Sequence, residues 1–557
     1  MPPLPDKITN PQTSTDRPSF LQVQSIFFFV LTVLAGIWIL LPFIDFQPYL
    51  SQGDHGRDLY AFEQTLHGAR PYRDYWWVYG PVMPIYYSWF FLWLGKSIPG
   101  ILTGKMFLDL VSGIFVYLSL GCFFSPFSAF TAAVWFWVFN ADFFFTYNHA
   151  GGITMLLAAA YCLLSYLKNS RIRSLSGGLF CLFILSLIKV NIGIANLFVF
   201  MASFHLIDLI YKNPYTAKKR CIDFLSVLLV LCVIVIYRVL LNGLAVYEIR
   251  QCLPYLGGDQ PYEVPIFEAA KILGNSIWRN MLSNRSDGIF AVIVILSVIS
   301  TIVVVIRHWK EKKLRDQRLL MIFILGFFLL VNLHEFLMSG VFYRSFWAKP
   351  FSIMLIFTLI AIAVSKFPGI IQNLLYTGIL WIAFQQGTTQ IHLINQFKTA
   401  DHYLAHPKAK IFVGNTPQWI TTVNQTTNYL STQLKPDETF FALPYDCIYY
   451  YLTGKKSPTR QLIFFDHIKI PPEQERKIIR ELEARSVRYV VLSSRFASPE
   501  QGLGVFGQTY CPILGKYLAD NFQVAATFGD WQNIPGWAWN HGTKILKRTT
   551  NEQKNHQ

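Results

Sequence analysis

The chain has 557 residues, of which 53% are hydrophobic and only 14% charged, and its mean hydropathy is positive. That composition excludes a soluble globular protein and leaves a polytopic helical membrane protein. The net charge of +16 does not point to nucleic acid, because the basic residues concentrate in Lys168 to Arg173, Lys212 to Arg220 and Arg307 to Arg318. These are short loops between apolar runs, which the positive-inside rule assigns to the cytosol.

A polar stretch, residues 1–24, precedes the first apolar run at 25–44. It is long for the leading region of a signal peptide and lacks a small-residue cleavage site, so the run reads as a retained anchor. Directly after it comes Asp54-His55-Gly56-Arg57-Asp58-Leu59-Tyr60, then Leu66-His67-Gly68 and Pro71-Tyr72-Arg73-Asp74. Ionisable groups held at a membrane surface are costly unless paired, so a cluster of them suggests a site. Asp54 and Asp58 lie four apart with Arg57 between them, which on a helix puts all three on one face. A carboxylate beside cations stays ionised and can accept a proton or orient a hydroxyl; an ion-pair cluster that pins the loop is the plainer alternative. Residues 80–94 are apolar, aromatic-rich and carry two prolines. They suit an amphipathic or re-entrant helix at the outer surface better than a span.

Further runs long enough to span lie near 100–122, 127–146, 150–168, 174–190, 191–211, 221–241, 289–308, 318–338, 349–366 and 370–389. With the N-terminus inside, the resulting eleven spans place 45–99, 142–150, 243–288 and 339–348 outside. The 174–211 stretch is continuous, and the charge bias on both sides of it supports two spans. Lys189 interrupts it, followed by Asn191 and Gly193; a lysine there can hold a lipid phosphate as a point charge, with Asn191 adding a hydrogen bond, or can simply snorkel to the interface. Tyr147-Asn148-His149, with Asp142 nearby, forms a second external turn, where His149 is either a proton shuttle or metal ligand or a satisfied loop histidine. His334-Glu335 and Tyr343-Arg344 flank a third, where Arg344 suits a phosphate unless it only pairs with Glu335. The long 243–288 loop holds Glu248, Arg250, Asp259 and Glu263, and its length hints at function.

After about residue 391 the character changes. Short β-like runs (439–443, 488–492, 523–528 and 543–547) alternate with helical patterns over 473–485 and 513–521, which indicates a small α/β domain over 392–557. No GxGxxG or P-loop pattern occurs there, so nucleotide binding is not supported. The eight cysteines show no metal-type spacing; Cys252, Cys447 and Cys511 fall in segments read as external, which leaves a Cys447–Cys511 disulfide open.

The order and sidedness of these motifs resemble the membrane-embedded glycosyltransferases of the GT-C fold, in particular bacterial relatives of the protein O-mannosyltransferases and of the lipid A aminoarabinose transferase. The likeness rests on Asp54-x-Gly56-x-x-x-Tyr60, Leu66-x-Gly68, Pro71 to Asp74, the external amphipathic helix and the Lys189-x-Asn191-x-Gly193 turn. It implies about eleven transmembrane helices over 25–391, an extracytoplasmic α/β domain, and an integral membrane protein of the bacterial inner membrane with a cytosolic N-terminus. The implied activity is hexosyl transfer from a polyprenyl-phosphate sugar to an external protein, lipid or polysaccharide, inverting, with Asp54 as base and Asp58 as the second acidic candidate. Lys189, Asn191, Arg344, Arg57 and Arg73 would hold the donor phosphate and head group; His55, Tyr60, Asp74, Asn148, His149 and Glu335 are further substrate-binding candidates. Many relatives carry an acidic residue where His55 stands, which moves any second acidic role to Asp58. No cofactor is evident; some branches of that family use a divalent ion, which this sequence neither supports nor locates. The rival readings are a ligase or polymerase using pyrophosphate-linked glycans, and a transporter or flippase of lipid-linked glycan. The latter would predict midplane charges and an internal repeat, and no repeat is visible.

Overall fold

Apolar runs of this length have one way to satisfy their backbone in lipid, which is to coil. The computed structural model describes residues 20–140, 147–253, 316–339, 342–494, 504–531 and 542–549, with isolated helical positions at 271, 295, 298–299, 302–303 and 306. The helical part comprises α1 (Phe20–Leu40), α2 (Asp54–Leu66), α3 (Val82–Leu94), α4 (Ile98–Gly121), α5 (Pro126–Asn140), α6 (Asn148–Asn169), α7 (Ile172–Ser186), α8 (Val190–Tyr211), α9 (Ala217–Leu240), α10 (Val246–Cys252), α11 (Gln317–Asn332), α12 (His334–Ser339), α13 (Lys349–Val364) and α14 (Gly369–Gln396). Among the described residues six helical runs are long and apolar enough to cross a membrane: those of α1, α4, α6, α8 and α9, and Gln317–Leu337, which α11 forms together with the start of α12. The helices α5, α7 and α13 are apolar but shorter, at 15, 15 and 16 residues. Rows of exposed apolar side chains, such as Phe27 and Leu34 on α1, Phe224 and Val239 on α9, and Leu374 and Trp381 on α14, form a surface suited to lipid. The chain is an integral membrane protein.

The continuous 174–211 stretch is broken, as the charge bias suggested. Helix α7 ends at Ser186, Leu187 and Ile188 turn, and Lys189 caps α8 from an extended conformation (φ −149°, ψ 103°). The apolar run at 80–94 is the 13-residue α3. It buries Met83, Tyr87 and Phe91 and exposes Ile85, Trp89 and Trp93, the pattern of a helix lying on a surface. The expected span at 289–308 falls almost wholly outside the described residues.

The turn at 187–189, the start of α6 and the segments 333–339 and 342–348 meet the first loop at one end of the bundle. The basic loops gather at the other. There Lys168 Nζ sits 5.5 Å from the centroid of the Phe123 ring, Arg318 sits 5.7 Å from that of Phe124, and Lys219 pairs with Asp208 at 2.6 Å.

Beyond α14 come β2 (Tyr403–Leu404), β3 (Ile411–Val413), α15 (Pro417–Gln433), β4 (Phe440–Leu443), α16 (Ile448–Thr453), α17 (Pro472–Ala484), β5 (Tyr489–Ser493), α18 (Pro512–Asn521), β6 (Phe522–Phe528) and β7 (Thr543–Arg548). The main sheet has the order β4-β5-β7-β6, with β4 and β5 parallel and the other neighbours antiparallel. A second, three-stranded sheet joins this region to the first loop: β1 (Phe46–Gln47) pairs in parallel with β3, Phe46 opposite Phe412, and β2 closes the other side. Asn415 reinforces the junction, its side chain accepting from Leu50 N at 2.8 Å and donating to Leu50 O at 3.0 Å. Lys408 adds an ion pair to Glu63 on α2 at 2.7 Å. Cys447 and Cys511 are both free, buried thiols, so the disulfide left open by the sequence is not formed.

Candidate functional site

Helix α2 begins where Ser51 satisfies its first amides: the Ser51 hydroxyl accepts from Gly53 N at 3.1 Å and Asp54 N at 3.0 Å. His55 serves this cap, its Nδ1 accepting from Ser51 N at 2.9 Å. The glycine of the Asp-x-Gly motif has a steric reason. A Cβ on Gly56 would lie 2.3 Å from Ile448 N, so only glycine lets α2 lie this close to the backbone of α16. Gly68, at φ +82°, lets the chain leave the helix after its last turn.

Arg57 is the hub of α2. Its side chain is only 3% exposed; Nε and Nη2 both donate to Asp58 Oδ1, at 2.9 and 2.7 Å, and Nη1 donates to Asp54 Oδ1 at 3.2 Å and to the Tyr445 hydroxyl at 2.8 Å. The Tyr445 hydroxyl in turn donates to Asp54 Oδ1 at 3.1 Å. The two aspartates are therefore not equivalent. Asp58 is wholly buried, whereas Asp54 is 39% exposed. Burial pushes the Asp58 carboxyl up to about 6, against the pull of the Arg57 charge beside it.

A second charged group lies across an aromatic wall. Lys189 Nζ, also buried, pairs with Glu335 Oε1, and Asn191 Nδ2 reaches the same carboxylate oxygen at 3.1 Å. The ring of Tyr79 belongs to both groups, its centroid 5.0 Å from the Arg57 guanidinium and 5.9 Å from Lys189 Nζ. Trp347 flanks Lys189 at 5.4 Å and His149 at 5.4 Å, and His149 packs on Tyr79 at 5.3 Å. Arg344, in a short 3₁₀ turn over Phe342–Trp347, lies within electrostatic range of Lys189. The Pro-Tyr-Arg-Asp motif positions Tyr79: the Tyr72 hydroxyl donates to the Tyr79 carbonyl.

The structure thus brings together Asp54, Arg57, Asp58, Lys189, Asn191, Glu335, His149 and Arg344. It places other candidates elsewhere. Arg73 is 62% exposed and pairs with its neighbour Asp74 at 2.8 Å, while Asp74 also accepts from Arg70 N at 2.8 Å; this is a surface turn braced by its own charges, and among the described residues no contact joins it to Arg57 or Lys189. Tyr60 faces the C-terminal region, its hydroxyl accepting from Ser457 N at 3.0 Å. Asn148 is fully buried, and neither side-chain polar atom has a partner among the described residues. Glu248 on α10 pairs with Arg460, again a docking contact; Asp142, Asp259 and Glu263 lie outside the described residues. Among the described residues no three His, Cys, Asp or Glu side chains are grouped to hold a metal ion.

Sequence reasoning missed Tyr79, Trp347 and Tyr445. The first two carried a signal, lying in aromatic-rich runs beside the cationic motifs (Trp76-Trp77-Val78-Tyr79 and Phe346-Trp347). Tyr445 carried none.

No family model and no curated protein matches the chain. Solved structures do. The arabinofuranosyltransferase AftD from Mycobacteria, determined by cryo-electron microscopy, aligns with a TM-score of 0.50 over 94% of this chain at 9% identity. The chain has the GT-C fold. It spans 40% of the length of AftD. ArnT from Cupriavidus metallidurans, in the apo state and bound to undecaprenyl phosphate, aligns at a TM-score of 0.47 in both cases, with 11% and 10% identity, covering 93% of this chain and 97% of the other. Within this GT-C fold the two charged groups sit at the end of the bundle opposite the basic loops.

Proposed function

We propose that the chain is a glycosyltransferase that moves a sugar, in the first instance a hexose, from a polyprenyl-phosphate donor to an acceptor hydroxyl. The transfer takes place at the outer face of the membrane, with inversion at the anomeric carbon and Asp54 as general base. The observation that carries this reading is the array on Tyr79: a half-exposed carboxylate tied to one buried cation, and a second buried cation on the same ring. Such an array has opposite charge where the two ends of a phosphate displacement need it.

In the proposed step Asp54 removes the proton of the acceptor hydroxyl as its oxygen attacks the anomeric carbon. The bond from that carbon to the phosphate oxygen breaks, and the electron pair leaves with the phosphate. Lys189 and Arg344 stabilise the departing charge, Asn191 adds a hydrogen bond, and Arg57 supports the head group. Glu335 holds Lys189 in place before the donor arrives, since a buried ammonium without a counter-charge would be costly. The side assignment rests on the basic loops at the far end of the bundle, which belong in the cytosol by the positive-inside rule; the N-terminus then lies inside and the C-terminal α/β domain (392–557) outside. The GT-C fold shared with an arabinofuranosyltransferase supports glycosyl transfer as the chemistry.

The test is transfer by purified protein in detergent to a crude envelope acceptor, offered polyprenyl-monophosphate hexoses and pentoses beside pyrophosphate-linked oligosaccharides. Transfer from a monophosphate donor is the expected result. Transfer from pyrophosphate donors alone reassigns the chain to the ligase or polymerase class, and donor translocation in liposomes without transfer makes it a transporter.

A further inference from the structure

We infer that the C-terminal domain completes the catalytic centre rather than capping it, and that Tyr445 is the positioning residue through which it does so. This rests on the proposed role of Asp54. Tyr445 follows β4 and is buried, its ring packed edge-on against Trp76 and Phe465, at 6.5 and 6.1 Å, and above Gly53, where a Cβ would lie 2.5 Å from the ring. The backbone around it is fixed at both ends: Phe464 N donates to Pro444 O at 2.9 Å, and Ile448 N donates to Gln52 O at 3.1 Å. The phenol therefore reaches α2 from a rigid support on another domain.

What it does there follows from which carboxylate oxygen it meets. The Tyr445 hydroxyl accepts from Arg57 and donates to Asp54, and both it and Arg57 engage Asp54 at Oδ1. Among the described residues Oδ2 has no hydrogen-bond partner, while the side chain as a whole is 39% exposed. A carboxylate turns about one bond with a broad, two-fold preference, so fixing Oδ1 at two donors fixes Oδ2 as the oxygen presented to the acceptor. Without the phenol Asp54 keeps one bond at 3.2 Å and can rotate either oxygen onto Arg57. The domain's contribution is to hold the base in its productive orientation, which is an effect on turnover rather than on binding.

The experiment compares the full-length wild type with Tyr445→Phe, which keeps the ring and its packing and removes only the oxygen. Expected are a folded protein with a lowered thermal midpoint, a donor KM within about twofold, and a kcat lower by about tenfold or more, as for a lost hydrogen bond to a charged group. Unchanged kcat overturns the inference, whether or not stability falls. A second readout does not need activity: the rate at which a water-soluble carbodiimide labels Asp54, read by mass spectrometry. Release of the tether should raise it about threefold, and an unchanged rate overturns the inference. Absence of transfer by the wild type would refute the functional reading alone, and the labelling comparison would still decide the tether.

Discussion

Replacing Asp58 by asparagine tests the electrostatics of α2 most sharply, because the side chain is wholly buried and titrates within reach of ordinary buffers. Burial lifts its folded-state value to about 6, against about 3.9 for a carboxylate in an unfolded chain. The folded protein therefore holds this proton more tightly than the unfolded one. The stability this group contributes is complete below the unfolded value and is lost as pH rises through the folded value. Between about pH 7.5 and about pH 4.5 that is about 2 kcal/mol. Other carboxylates titrate in the same window, so the informative quantity is the difference between wild type and Asp58→Asn. Equilibrium unfolding in detergent at the two pH values should show that difference moving by about 2 kcal/mol in favour of the wild type on acidification. A flat difference, or one moving against the wild type, would mean that Arg57 keeps the carboxylate charged and that ion pairing outweighs burial.

Gly56→Ala should cost about 2 kcal/mol of stability, because the added methyl meets backbone rather than a movable side chain; thermal unfolding reads it, and a silent substitution would contradict the close approach of α2 to α16. Lys189→Met leaves the buried Glu335 without its counter-charge, so it should lose about 3 kcal/mol of stability and donor affinity as well. Adding Glu335→Gln should restore much of the stability but none of the affinity for polyprenyl phosphate, which separates the ion pair's structural part from its binding part. With all eight cysteines free, maleimide should label the unreduced, denatured chain at eight positions, and mass spectrometry showing a protected Cys447–Cys511 pair would contradict that.

Much of the bundle was legible because a bilayer demands long apolar runs and charge marks their ends. The break at Lys189 was readable for that reason, since a charged residue inside an apolar stretch belongs at a turn. The cluster at 54–58 was equally visible as ionisable groups beside a span. The roles within it were not. On a surface loop Tyr60 and His55 look freely exposed, but α2 is enclosed by the C-terminal region, with His55 Nδ1 engaged at the helix cap and the Tyr60 hydroxyl at Ser457. Arg73 shares a motif with Tyr72, yet Tyr72 turns inward to hold Tyr79 while Arg73 remains on the surface. The two-residue strand β1 has no periodicity to read, and its partner β3 lies more than 360 positions away. Tyr445 is as distant from Asp54, and nothing local distinguishes it from the other tyrosines around it. Contacts between domains were the part that no local pattern encodes.

The central claim is that Asp54 is the base of a glycosyl transfer at this site. The most direct measurement is transfer by Asp54→Asn beside the wild type, with polyprenyl-phosphate binding measured on the same preparations. Removal of the base should lower turnover by about a thousandfold while donor binding, which the proposed function assigns to Lys189 and its neighbours, stays within about twofold. A folded Asp54→Asn protein that binds donor and transfers sugar at the wild-type rate would contradict the account.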